Sequence, residues 1–460
     1  DPAGLLIALE EAADLDEALT GGKAGTLGRL CRADYPVPRG FCLTTRAYEE
    51  FVESSGLVAN LGMEIGRKPL EEMRWEEVWD TALRIRGLFV GHALSGALRD
   101  AIADAVGDLD PSAPLAVRSS AVGEDSAERS FAGLHESILG VRGPQGVEDA
   151  IRLVWASLWS DAALLYRKEL GLDPARSRMA VVVQEMAVAD RSGVAFSRDP
   201  RSPEAERAIV EAVAGPCQLL VDGEVDPDRW ELDRGSGRIL EWRPGEREGA
   251  ARPLLEEGDL ERIRETLLSV EDQFGWPPDL EWTGRGDHFR VLQARPITST
   301  VKKDDERSWY LTLRPGDARL GRLRQRVADE LIPKLEAEAQ ALADEPLEER
   351  DDRGLAESIE RRREALGRWK KIYWDEFIPF AHGVRRLATF YNDAVKPEDP
   401  YEFVGLLQDQ PLLAVQRNRA LETLAHGLAE NVALRAAVER LPVSYTHLTL
   451  PTIPFECSSR

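Results

Sequence analysis

The stretch LAVRSSAVGEDSAERSFAGLHESILG, Leu115 to Gly140, decides how this chain is read. It opens as a short apolar run, Leu115-Ala116-Val117, which predicts a strand. Arg118 and two serines then lead into a loop of Gly, Ser and Ala, and a second small-residue turn follows at Ser130-Phe131-Ala132-Gly133. Small residues let a backbone approach a ligand closely and let its N–H groups converge on an anion. An arginine leaving a buried strand into such a loop suits a phosphate, because its planar fork makes paired charge-assisted hydrogen bonds. Taken alone, the stretch serves equally as an ordinary strand–loop–strand with a surface arginine. Its neighbours decide.

Upstream, Gly21-Gly22-Lys23 opens a predicted helix. A lysine there is placed to meet a phosphate, since the helix N-terminus adds a partial positive charge. The GxxxxGK[ST] spacing of a Walker A loop is absent. Tyr35 to Thr44 predicts a turn and a strand, with Thr45 capping a helix through Phe51. Leu70 to Ala105 and Val147 to Leu170 each predict a helix, with Trp75, Trp79, Trp155 and Trp159 read as core.

Downstream, Met179 to Met186 predicts a buried strand with a polar exit, a place where backbone groups can meet an adenine-like ring. Ser192–Ser197 and Ala208–Val213 predict two more strands, and Leu219–Gly223 is expected to pair with Asp228–Leu232. Asp279–Trp282 and Phe289–Ile297 predict a hairpin around the Gly284–Asp287 turn. Asp279 and Glu281 lie two apart, so both carboxylates share one face, and so do Gln293 and Arg295. Such a face could hold a metal–phosphate complex, because Mg²⁺ takes hard oxygen ligands and a polyphosphate takes a positive fork. A solvated, salt-bridged face is the alternative.

The 460 residues carry a net charge of −23, which argues against general binding to nucleic acid or an anionic membrane. The four cysteines show no CxxC and no metal-ligand spacing, so they read as free thiols in a reducing compartment. No apolar run reaches the roughly 20 residues of a membrane span and no signal peptide is visible, so the expected location is the cytoplasm. The chain begins at Asp1, and the segment from Ser444 to Arg460 breaks with the Ala-, Leu- and Arg-rich helical text before it. We read that tail as non-native and expect the native protein to continue beyond Pro442. The expected organisation is a domain over 1–300, a partial helix-rich domain over 301–443 and the tail over 444–460.

Assembled, the first 300 or so residues resemble the nucleotide-binding domain of the phosphoenolpyruvate synthase / pyruvate phosphate dikinase family, which includes rifampin phosphotransferase. The matching stretches, in the family's order, are GGKAGTLGRL, VPRGFCLTT, AVRSSAVGEDSAERSFAG, VVQEM, SGVAFSRDP, VDGEVDPDRW, DLEW and VLQARPIT. The resemblance implies an α+β chain whose nucleotide-binding domain is an ATP-grasp fold. It implies that Lys23 and Arg118, the catalytic candidates, hold ATP phosphates, with Gly133 and Ser137 lining the small-residue loop. Gln184, Glu185 and Met186 would contact adenine, Glu281 with nearby Asp279 would bind Mg²⁺, and Gln293 and Arg295 would complete the phosphate site.

In such enzymes the β-phosphoryl group of ATP passes to a histidine of a swivelling domain, AMP and phosphate are released, and the phosphohistidine supplies a small-molecule acceptor. Two departures stand out. Where the family often carries Gly-Leu-Gly-Glu, this chain has Gly215-Pro216-Cys217-Gln218, so a neutral glutamine replaces a glutamate. None of the six histidines, His92, His135, His288, His382, His426 and His447, lies in a Thr-Ser-His-Ala-like context, so the phosphohistidine domain is missing from the sequence. The expected function is the ATP-binding half of a dikinase-type phosphotransferase with pyruvate or a similar small molecule as acceptor. An antibiotic acceptor, or a nucleotide-sensing module without catalysis, is the alternative.

Overall fold

The computed structural model describes residues 4–297 and 317–407, apart from 74, 123–124, 127–128, 131–133, 175–176, 188, 203, 222–224, 246–251 and 398. The chain divides into two compact units, Asp1–Gly316 and Asp317–Arg460. The first mixes helices with antiparallel sheets, an α+β arrangement. Its strands are β1 (Leu6–Ala8), β2 (Gly40–Leu43), β3 (Leu115–Ala121), β4 (Asp125–Ser126), β5 (Arg129–Ser130), β6 (Ser137–Val141) and β7 (Met179–Glu185). They continue with β8 (Arg191–Phe196), β9 (Arg207–Ala214), β10 (Asp228–Asp233), β11 (Ile239–Arg243), β12 (Pro278–Thr283) and β13 (Arg290–Pro296). Helices are α1 (Glu17–Arg32), α2 (Thr45–Ser54), α3 (Leu57–Gly66), α4 (Trp75–Gly91), α5 (Gly96–Gly107), α6 (Gly143–Ser157), α7 (Asp161–Leu170), α8 (Gln218–Val221) and α9 (Glu257–Phe274).

Pairing gives a five-stranded sheet in the order β1-β2-β7-β3-β6, a six-stranded sheet in the order β11-β10-β9-β8-β12-β13, and the small β4–β5 hairpin. Strict alternation explains how the layers form. Phe41, Leu43, Val117, Val181 and Val183 point to one side of the first sheet, into a core shared with α2 and α4–α7. Cys42, Ala180 and Val182 point to the other side and join Ala24, Leu27 and Leu30 of α1. That second core continues into Ala208, Val210, Ala212, Leu280, Trp282 and Val291 of the six-stranded sheet and is closed by α9.

The opposite face of the six-stranded sheet carries Glu211, Asp279, Glu281, Gln293 and Arg295 by the same alternation. Burying a side chain such as Leu280 contributes about 1.5–3 kcal/mol. A partly exposed ion pair contributes about 0.2–1 kcal/mol. The apolar face therefore sets the register, and the charged face follows from it.

Five expectations from local pattern are corrected. The helix expected over Leu70–Ala105 is interrupted after α4, and Ser95 starts α5 by accepting the Leu98 N–H at 3.3 Å. Trp79 of α4 is only half-buried, and Val78, Ala82, Ile85 and Phe89 supply the helix's core face instead; the side chain of Trp75 lies outside the described residues. The helix expected over Val147–Leu170 is two helices, with Ser160 accepting the Ala163 N–H at 3.2 Å to start α7. Thr45 is the first residue of α2 rather than its cap, and its hydroxyl donates to Ala18 O at 2.9 Å. Asp228–Leu232 pairs elsewhere than expected: β10 lies between β9 and β11, and Gln218–Val221 is a short helix, with the rest of 219–223 outside the described residues. In each helix case a hydrophilic cap outweighs continuity of apolar spacing.

The second unit is helical in its described part, with helices Asp317–Arg326, Ile332–Ala343, Asp352–Ile372 and Ile378–Val395. The part of the expected helix-rich domain beyond residue 407 and the tail over 444–460 lie outside the described residues. Among the described residues, no helix is long and apolar enough to cross a membrane.

Candidate functional site

The Gly-Gly-Lys turn lies inside α1, at a break in it. Asp16 caps the helix by accepting the Ala18 N–H at 2.9 Å, and Gly21, at φ 69° and ψ 169°, interrupts the helical path. The break is docked on β3: Ser120 Oγ donates to Thr20 O at 2.7 Å and accepts the Ala24 N–H at 3.0 Å. Lys23 Nζ donates to Ser119 Oγ at 3.4 Å. The lysine and the residue after Arg118 are thereby brought together from 96 positions apart.

Arg118 leaves β3 toward the six-stranded sheet. Its Nη1 donates to Leu292 O at 2.6 Å, and its Nη2 donates to Gln293 Oε1 at 2.8 Å and to Glu281 Oε2 at 3.4 Å. The Leu292 carbonyl is available because β13 bulges there: Glu281 pairs with Gln293 and Trp282 with Val291, leaving Leu292 without a cross-strand partner. Ser137 of β6 is exposed and sits directly opposite Arg118 in register. Gly133 lies outside the described residues.

On the hairpin, Asp279 faces Arg295 and Glu281 faces Gln293. Arg295 Nε donates to Asp279 Oδ2 at 2.9 Å. Asp279 is 8% exposed, and among the described residues its Oδ1 has no hydrogen-bond partner. Burial pushes its carboxyl above the usual carboxylate range against the pull of Arg295, and the Glu281 and Glu211 carboxylates add to the rise. An orphaned carboxylate oxygen beside a second carboxylate fits a hard divalent cation. Among the described residues no group of three or more His, Cys, Asp or Glu side chains is placed to hold a metal. Among the described residues the hairpin offers Asp279 and Glu281, and the remaining ligands of an ion would come from phosphate and water, as Mg²⁺ prefers.

At the end of β7, Gln184 is buried and its Nε2 donates to Pro38 O at 3.1 Å. Glu185 Oε1 accepts the Asp110 N–H at 2.9 Å. The Glu185 N–H goes to Arg39 O and the Met186 N–H to Pro114 O, at 2.9 and 2.8 Å. Met186 Sδ accepts the Gly140 N–H at 3.0 Å. A ring held here would meet carbonyls and the Met186 side chain rather than those two amide donors.

Two residues beside the site escaped the sequence reading. Glu211 lies in the same cross-strand row as Glu281, with Val194 between, and accepts from Arg229 Nη1 at 2.6 Å. Cys217 donates its thiol to Gly193 O at 3.4 Å. Burial pushes that thiol up, and Glu281 and Asp279 push it further while Arg118 opposes them. The alternation of β9 signalled Glu211. Nothing local signalled Cys217, whose neighbour Gln218 is exposed.

A family described as "Pyruvate phosphate dikinase, AMP/ATP-binding domain" matches residues 17–310. A probable phosphoenolpyruvate synthase of Methanothermobacter thermautotrophicus is 31% identical over 320 residues, covering 65% of this chain and 46% of the relative. A phosphoenolpyruvate synthase of Aeropyrum pernix is 32% identical over 357 residues, covering 66% and 43%. A rifampicin phosphotransferase of Streptomyces sviceus is 34% identical over 310 residues, covering 63% and 35%. The chain spans less than half the length of these relatives.

Proposed function

This chain belongs to the family of pyruvate phosphate dikinase AMP/ATP-binding domains, and from that we propose that its first unit is an ATP-grasp domain binding ATP with Mg²⁺ for phosphoryl transfer. The observation that carries the reading is Arg118 joined to Gln293 and Glu281 while the adjacent Ser119 contacts Lys23. Lys23 and Arg118 thus meet β3 through successive residues, and Arg118 brings the Glu281 carboxylate with it. Lys23 and Arg118 bind the phosphates, with Gln293 and Arg295 completing that end, and Ser137 at the start of β6 and Gly133 before it contribute beside them. Gln184 to Met186 border the base. Glu281 and Asp279 hold Mg²⁺, which supplies charge neutralisation to the polyphosphate.

In the whole protein the β-phosphoryl group of ATP passes to a histidine on a swivelling domain, water takes up the γ-phosphoryl group so that AMP and phosphate are released, and the phosphohistidine then passes its group to pyruvate or a similar small acceptor. The role of the chain's own residues is to fix the phosphates in line and to stabilise the charge that spreads over the transferring group. The likeness to a rifampicin phosphotransferase keeps an antibiotic acceptor as the second reading. The exposed, neutral Gln218 favours a nucleotide sensor without transfer as the third.

Titration calorimetry of the chain with ATP, with and without Mg²⁺, tests the binding step. Binding strengthened by Mg²⁺, with that gain abolished in Glu281→Gln, is expected. No ATP binding by the unsubstituted chain ends the proposal. AMP formation by a longer protein carrying the histidine domain separates transfer from sensing.

A further inference from the structure

The return of the chain to the first sheet after the small-residue loop is clamped from behind. Arg86 of α4 meets Glu136 at two points, Nη1–Oε1 3.0 Å and Nη2–Oε2 3.0 Å. Arg86 is 9% exposed, so the arginine half of the pair is withdrawn from solvent, while the Glu136 side chain is 26% exposed. Around it, the Glu136 N–H donates to Ser157 Oγ at 3.1 Å, Ser157 Oγ donates to Val154 O at 2.7 Å, and Leu134 and His135 are buried. Glu136 immediately precedes Ser137, the residue opposite Arg118. The β4–β5 hairpin just before this clamp packs against α1 and β13, the elements that carry Lys23 and Gln293.

We propose that Arg86 is a positioning residue for the phosphate end of the nucleotide site, acting through Glu136 to fix β6 against Arg118. This rests on the nucleotide-binding reading above. A two-point guanidinium–carboxylate pair fixes direction as well as distance, which a single-point pair does not. Its leverage is uneven along β6. Ser137, at the phosphate end, is one residue away, whereas Gly140, which meets Met186 at the base end, is four residues away. Nothing in the sequence points to Arg86, since it is one of two arginines on an amphipathic helix.

The test compares ATP and AMP binding by calorimetry in the full chain. Arg86→Lys keeps the charge and loses the fork; Glu136→Gln keeps the shape and loses the charge, and carries the test where the lysine variant does not fold. Arg234→Lys is the control, because Arg234 makes the same kind of two-point pair with Glu271, at 2.9 and 3.1 Å, away from the loop. Both clamp variants are expected to weaken ATP about tenfold while AMP changes by less than about twofold, and the control is expected to move neither. Unchanged ATP affinity, or equal weakening of ATP and AMP, overturns the positioning role. Failure of the nucleotide reading shows separately, as absence of ATP binding before any substitution, and this inference then falls with it.

Discussion

Arg118 Nη2 lies 2.8 Å from Gln293 Oε1, across 175 positions of sequence and between strands of two different sheets. One guanidinium thereby ties β3 of the five-stranded sheet to β13 of the six-stranded one. Two of its acceptors, the glutamine amide and the Leu292 carbonyl, are neutral, and the third, Glu281, lies at the longer distance of 3.4 Å. Every bond from the guanidinium is charge-assisted, and an ionised acceptor adds Coulomb attraction that the neutral amide and carbonyl lack. On the nucleotide-binding reading proposed above, a phosphate arriving between the sheets would compete for the same fork and would release Glu281 toward a cation.

Replacing Arg118 by lysine is accordingly expected to be almost as damaging as replacing it by alanine. Lysine keeps the charge but cannot hold a phosphate and Gln293 at two angles at once. A loss of roughly 10²-fold in ATP affinity corresponds to the removal of one or two charge-assisted bonds. Calorimetry on Arg118→Lys and Arg118→Ala checks this. Near-normal binding by the lysine variant would show that charge alone is what the site uses.

Asp279 gives a prediction with a definite sign in pH. Its folded-state carboxyl is raised above the ordinary 3.8, so the folded protein holds that proton more tightly than the unfolded chain. The folded state is then favoured while the group is protonated, and this contribution is lost as pH rises from 3.8 through the raised folded value. Asp279→Asn stays neutral and can still accept from Arg295. In urea unfolding it should be more stable than the unsubstituted chain at pH 8, with the gap closing as the pH falls toward 4. A gap independent of pH would mean that the carboxylate carries no burial penalty.

The sheets were legible because their residues alternate. Asp279 with Glu281 and Gln293 with Arg295 could be put on shared faces from spacing alone, and the hairpin pairs them in register. The helix breaks at Ser95 and Ser160 were missed because apolar periodicity runs through them, while the cap depends on one side-chain hydrogen bond. Three features beside the site lay beyond local pattern. The bulge that frees the Leu292 carbonyl, the approach of Cys217 to Arg118 and Glu281, and the Arg86–Glu136 pair all depend on how distant strands and helices meet. Gln184 stands at the polar exit expected of its strand, and there its buried amide is held by Pro38 O, a partner that only the fold brings to it.

Gly21 and Gly25 separate two uses of glycine within one helix. Gly21 has φ 69° and ψ 169°, and a Cβ there would run into the Ser120 carbonyl of β3. Such backbone regions cost a non-glycine residue about 1–3 kcal/mol before any clash. The clash is with backbone, so relief requires moving α1 away from β3, and with it the contact of Lys23 with Ser119. Gly25 is helical, and a Cβ on it would meet Thr20 Oγ1 at an ordinary 3.6 Å. Alanine there gains about 1 kcal/mol of helix propensity over glycine. Gly21→Ala is therefore expected to lower both the melting temperature and ATP affinity, and Gly25→Ala to raise the first and leave the second. Thermal melts and calorimetry on the two variants decide it. If Gly21→Ala melts no lower than Gly25→Ala, then the break in α1 is incidental, and the docking of Lys23 onto β3 does not depend on it.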